Sequence, residues 1–141
     1  MTPTTSSVLA LDVGAKRIGV AVASFEARLP RPVTTLIFDD QFFTALKKIV
    51  AEENVTRLVI GFPRGLQGQH TSQTDAIEAF AKEIKEHLPL PTDFQDEALT
   101  SKHAEDELRG RGKPYAKADI DALAATYILD DWLAEYKEVV A

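Results

Sequence analysis

Two apolar runs, SVLALDVG at 7–14 and RIGVAVAS at 17–24, are joined by the short turn GAK. No other feature of the chain constrains its fold as much. Both runs are rich in Val, Ile, Leu and Ala, and their spacing predicts an antiparallel hairpin. The first run is apolar on both of its faces, so its strand belongs at the centre of a sheet covered on both sides. Asp12 then stands inside the most apolar segment of the protein. A buried charge without a partner costs several kcal/mol or more, or is neutralised by protonation. Two readings of Asp12 follow. It marks a strand end and accepts the turn amides of Gly14 and Ala15, or it holds a metal ion.

The later segments alternate strand and helix. VTTLIF at 33–38 predicts a third strand after the two prolines of EARLPRP. DDQFFTALKKIVAEEN has helical spacing, with Phe42, Leu46, Ile49 and Val50 on one face and Asp39 or Asp40 as its cap. TRLVIG is a fourth strand, followed by the polar loop FPRGLQGQHTSQ. TDAIEAFAKEIKEHL predicts a helix that turns Ile77, Phe80, Ala81, Ile84 and Leu88 inward. PLPTDFQ allows a fifth strand, and TSKHAEDELRGRG a helix that stops at glycine. The last helix, ADIDALAATYILDDWLAEY, is expected to bury Ile120, Leu123, Ala124, Tyr127 and Ile128. This order implies a mixed five-stranded sheet with helices on both faces, in one domain over 1–141 after a polar N-terminal tail at 1–6.

Composition narrows the chemistry. The absence of cysteine excludes disulfides, thiolate metal sites and cysteine nucleophiles. No apolar run approaches the ~20 residues of a membrane span, and the start of the chain lacks the pattern of a signal peptide. A cytoplasmic protein with no membrane association is expected. The net charge of -6 is the wrong overall sign for a nucleic-acid binder, so any such surface must be local.

Two further acids stand out. Glu97 falls just past the expected fifth strand, where α/β sheets place their ligand crevice. It also suits the first turn of the helix that follows. Asp119 and Asp121 open the last helix. Asp119 reads as its N-cap, whereas Asp121 lies beside the buried stripe. A strand, a strand end and a helix start can converge at one sheet edge. Oxygen ligands without His or Cys select hard cations such as Mg²⁺ or Mn²⁺.

The blocks LALDVGAKRIGVAVAS, LVIGFPRGLQG, DEALTS and DIDALAATYIL, in that order, resemble the YqgF family of RuvC-like nucleases. The resemblance spans nearly the whole chain and implies an RNase H-like fold. It implies that Asp12, Glu97 and Asp121 are the catalytic, metal-binding acids, with Mg²⁺ or Mn²⁺ as cofactor. It also implies that Lys16 and Arg17 face the substrate. Members of that family are described as nucleases processing the 5′ end of pre-16S ribosomal RNA. An older description, by similarity to RuvC, is Holliday-junction resolvase. Two positions depart from the family pattern: Ala98 follows the Asp-Glu pair in place of arginine, and Arg64-Gly65-Leu66-Gln67 follows Pro63. Arg64 can supply the charge that Ala98 lacks.

RGRGKPYAK at 109–117 carries Arg109, Arg111, Lys113 and Lys117 without an acid, and Tyr115 as a stacking face. Two readings follow, a phosphate-contacting loop, which is favoured, and a merely solvated linker. Trp132 reads as packing a helix end, and His87 as complementing a helix dipole. The expected activity is metal-dependent phosphodiester hydrolysis on pre-16S rRNA, with contacts to ribosomal particles, in a monomer or weak dimer. The alternatives are cleavage of branched DNA, which needs a dimer, and a non-catalytic ribosome- or RNA-binding module. A kinase of the actin-like superfamily would need a second such domain.

Overall fold

The computed structural model describes residues 5–14, 16–62, 72–96 and 100–136. Strands β1 (Ser7–Val13) and β2 (Arg17–Ser24) form the expected hairpin, and β3 (Arg31–Ile37) adds to it. Helix α1 (Phe42–Glu52), β4 (Val55–Phe62), α2 (Ser72–His87) and β5 (Thr92–Asp96) follow, then α3 (Thr100–Gly110) and α4 (Lys117–Glu135). The sheet order is β3-β2-β1-β4-β5. Pairing is antiparallel from β1 to β3 and parallel from β1 to β5. The mixed five-stranded sheet is as the sequence implies, and β1 lies at its centre.

Period-two alternation divides the sheet into two packed faces. Leu9, Leu11, Ile18, Val20, Leu58 and Ile60 pack with Phe42, Leu46, Ile77, Phe80, Ile84 and Leu88 of α1 and α2. Val8, Ala10, Ala21, Ala23 and Val59 pack with Ala125, Ile128, Leu129, Trp132 and Leu133 of α4. The second face is built largely from alanine, so α4 lies close to the strands. Asp12 alternates with Ala10 and Val8 and therefore belongs to the α4 face.

The face expected for α4 is corrected. Leu123 and Ala124, with Ile120 and Tyr127 half-buried beside them, pack on Ala104 and Leu108 of α3 rather than on the sheet. Of the expected stripe, Ile128 reaches the sheet layer. The helix is apolar on two sides because it is covered on two sides. Two caps also differ from expectation. Ala116 is the N-cap position of α4, and Asp119 is the third helical residue, accepting the Ala116 amide at 2.8 Å. Gln41 is the N-cap of α1, and Asp39 accepts its amide at 2.9 Å.

The far end of α4 is held by specific polar contacts. Arg28 has φ +56° and donates to the carbonyls of Leu133 and Tyr136, satisfying helix-end acceptors that the helix itself leaves open. Trp132 is buried, stacks on Tyr136 with ring centroids 4.3 Å apart, and donates to Asp93 at 3.0 Å. It packs the helix end as the sequence suggests. His87 stacks on Phe43 at 3.9 Å. Residues 5 and 6 of the polar tail are tied down: Asn54 donates to the Thr5 carbonyl at 3.2 Å, and Phe25 to that of Ser6 at 3.1 Å. No helix among the described residues is long and apolar enough to cross a membrane.

Across the α3–α4 contact, the Tyr127 hydroxyl donates to Glu107. Burial, and then this carboxylate, push the phenol up from 10.0 to about 12. Between those values the folded chain keeps a proton that the unfolded chain releases, so stability is complete below pH 10 and falls as pH rises toward 12. Urea midpoints measured across this range should drop in the parent protein, and Tyr127→Phe should flatten the drop. Equal slopes would show that the phenol titrates normally.

Candidate nuclease site

Asp12 is 8% exposed, on the α4 face near the C-terminal end of the central strand. Its ladder partners are Gly19 on β2 and Gly61 on β4. No side chain therefore stands directly opposite it on either neighbouring strand. The Gly14 amide donates to the Arg17 carbonyl at 2.9 Å, closing the hairpin. One of the two amides that a turn role for Asp12 requires is thus already engaged. Ala15 lies outside the described residues.

Gly19 also sets the position of the second acid. A Cβ on Gly19 would lie 2.0 Å from the Asp121 carbonyl oxygen and 2.9 Å from the Ala122 amide nitrogen. The first turns of α4 thus rest directly on the β2 backbone, beside the position paired with Asp12. Paired residues across an antiparallel ladder are about 4.5–5.5 Å apart, so the backbones of Asp12 and Asp121 are near neighbours. The start of α4 is tied to the sheet a second time, where the Thr35 hydroxyl donates to the Ala118 carbonyl at 2.6 Å.

Arg17 donates through Nε to Asp121 Oδ2 at 2.7 Å. Lys16 is exposed at the same hairpin end, and its carbonyl accepts the Phe38 amide at 2.9 Å. The sequence assigned Arg17 to substrate without anticipating this ion pair. It also missed Gly19 and Thr35 as the contacts that place Asp121. The one sequence signal for them was a glycine inside an apolar strand, a mark of close backbone approach.

The remaining candidates are more dispersed. Arg109 and Arg111 lie at the end of α3, where Arg109 pairs with Glu105 at 3.3 Å and Arg111 pairs with Glu107. Gly112, with φ +71°, then turns the chain away from the helix. Lys113 and Lys117 are exposed along the approach to α4. Glu97, Ala98 and Arg64 with the rest of the 64–67 loop lie outside the described residues. Among the described residues no three acids or histidines form a cation-binding group. Asp12 and Asp121 nevertheless fit a hard divalent ion, since both donors are carboxylates and no His or Cys competes.

A mixed sheet of order β3-β2-β1-β4-β5, with an aspartate on the central strand and another on the helix packed across it, defines an RNase H-like domain of the RuvC type. The RuvX family model, described as Holliday junction resolvase, matches residues 6–135, and the chain belongs to that family. A "Putative pre-16S rRNA nuclease" of Chloroflexus aggregans is 40% identical, covering 90% of this chain and 92% of its own. A Synechocystis protein of the same name is 39% identical, covering 90% and 86%. Among solved structures, Thermus thermophilus RuvC in complex with a Holliday junction substrate has a TM-score of 0.52 at 15% identity, covering 90% of this chain and 93% of its own. Fowlpox virus resolvase with junction DNA has a TM-score of 0.54 at 12% identity, covering 91% and 97%. These structural likenesses establish the fold.

The Gly19 contact can be tested directly. Gly19→Ala should lower stability by about 3 kcal/mol or more, because backbone rather than a flexible side chain fills the space. A thermal melt equal to that of the parent would show that α4 does not rest on β2 at this point.

Proposed function

We propose that the protein is a metal-dependent nuclease that hydrolyses phosphodiester bonds in the 5′-end processing of pre-16S ribosomal RNA. The observation that carries this reading is Asp12, buried on the central strand between two glycines, with the backbone of Asp121 set against one of them. Asp12 and Asp121 would hold Mg²⁺ or Mn²⁺, and Glu97 completes the set by resemblance. When bound, such cations neutralise phosphate charge and lower the pKa of water. Asp12 supplies a fixed carboxylate, because the strand that carries it is covered on both faces. Asp121 supplies an adjustable one, because its side chain is 20% exposed.

Lys16, Arg17 and Lys113, with Arg64, Arg109 and Arg111, would bind the phosphates along the substrate. Their contribution is local, since the chain as a whole is acidic. The relatives named for pre-16S rRNA support RNA as the substrate, at 38–40% identity over most of the chain. This reading places the protein in the cytoplasm, with ribosomal particles as partners, and one chain suffices for the chemistry. A second reading, cleavage of branched DNA, is favoured by the family description and requires a dimer with two sites.

The discriminating assay offers precursor ribosomal RNA, a four-way DNA junction and an unrelated single-stranded RNA, with Mg²⁺ or Mn²⁺. The expected result is metal-dependent cutting of the precursor, lost in Asp12→Asn and in Asp121→Asn. Cutting of the junction alone would establish the second reading. Asp12→Asn should also melt higher than the parent in chelator, because it removes a buried charge from beside another carboxylate. A cation at 100 times its Kd should stabilise the parent by about 2.7 kcal/mol, and the variant by far less. An active Asp12→Asn would refute the catalytic role.

A further inference from the structure

We propose that Arg17 is a cation-gated phosphate contact. It is held by Asp121 while that carboxylate carries no metal, and is released to nucleic acid when a divalent cation takes the carboxylate. The proposal rests on the nuclease reading and adds to it an order of events: metal first, full grip on the substrate second.

The geometry restricts what can move. Arg17 begins β2, where it pairs with Ile37 and its carbonyl accepts the Gly14 amide. Asp121 is fixed by the contact of α4 with Gly19 and by the Thr35–Ala118 hydrogen bond. Neither backbone can withdraw, so any exchange of partners occurs between the two side chains. Arg17 uses Nε alone, and its terminal nitrogens make no hydrogen bond among the described residues. Its side chain is 43% exposed, so the guanidinium is open to solvent at the hairpin end, beside Lys16.

Energetics argue against a purely structural clamp. An exposed ion pair contributes only about 0–1 kcal/mol to stability. The start of α4 is already fixed by backbone packing and the Thr35–Ala118 hydrogen bond, so the pair adds little to holding it. Its chemical consequence is larger. While paired, Asp121 cancels the charge that Arg17 would otherwise present to a phosphate. A divalent cation on the same carboxylate competes for its oxygens and repels the guanidinium. Arg17 is then both displaced and uncompensated, next to the place where a phosphate would bind.

Two measurements on the intact protein test this. In chelator, binding of a labelled oligouridine is followed against salt for the parent, Arg17→Gln, Asp121→Asn and the double variant. Losing Arg17 should cost at least roughly threefold more affinity in the Asp121→Asn background than in the parent, with a salt slope smaller by about 0.7 in that background only. An equal loss in both backgrounds would overturn the proposal, because Arg17 would then contact phosphate whether or not Asp121 holds it. Calorimetry with Mn²⁺ alone completes the test. Arg17→Gln should bind the ion more tightly than the parent, since a competing cation is gone. Equal or weaker binding would overturn the gate while leaving the nuclease reading intact. No Mn²⁺ binding by the parent would overturn the nuclease reading itself, and the gate with it.

Discussion

The close approach of α4 to β2 at Gly19 is the constraint on which the site depends. A helix crossing a sheet normally stands off by the thickness of two side-chain layers. Here the Asp121 carbonyl occupies the space where a Cβ would be. The alanines at 10, 21 and 23 continue the same shallow surface down the sheet, so the whole helix lies low on the strands. At the end of that surface the small residues give way to Asp12, which meets the helix at its first turns. One run of small side chains therefore both packs the core and sets the backbone of Asp121 beside the position paired with Asp12.

That arrangement buries a carboxylate on the central strand. Asp12 is nearly inaccessible to water, and a buried carboxylate needs compensating partners. The Arg17–Asp121 pair places a positive charge on the second acid. Arg17 belongs to the hairpin that also carries Asp12, so the two strand ends that flank the turn GAK supply an acid and its neighbour's counter-ion within a few residues.

Much of this was legible in the sequence. The hairpin could be read from two apolar runs and a short turn. The central place of β1 could be read from its lack of a polar face. Asp12 stood out because it broke that pattern, and the α1 and α2 core faces followed from helical spacing. The α4 face was not legible, because a helix covered on two sides has no single stripe, and periodicity cannot apportion its apolar residues between α3 and the sheet. The Arg17–Asp121 pair spans most of the chain, so no local pattern reports it. Arg109 and Arg111 read as a free basic segment because their acidic partners lie one turn earlier, inside α3. The motif resemblance supplied what local physics could not, namely the expectation that Asp12, Glu97 and Asp121 form one set.

The central claim is that Asp12 and Asp121 share a divalent cation. Crystals grown with Mn²⁺ and measured at the manganese absorption edge test it most directly. The account requires an anomalous peak within about 2.0–2.3 Å of carboxylate oxygens from both residues. A peak bound elsewhere, with Asp12 still buried and Asp121 still held by Arg17, would contradict it.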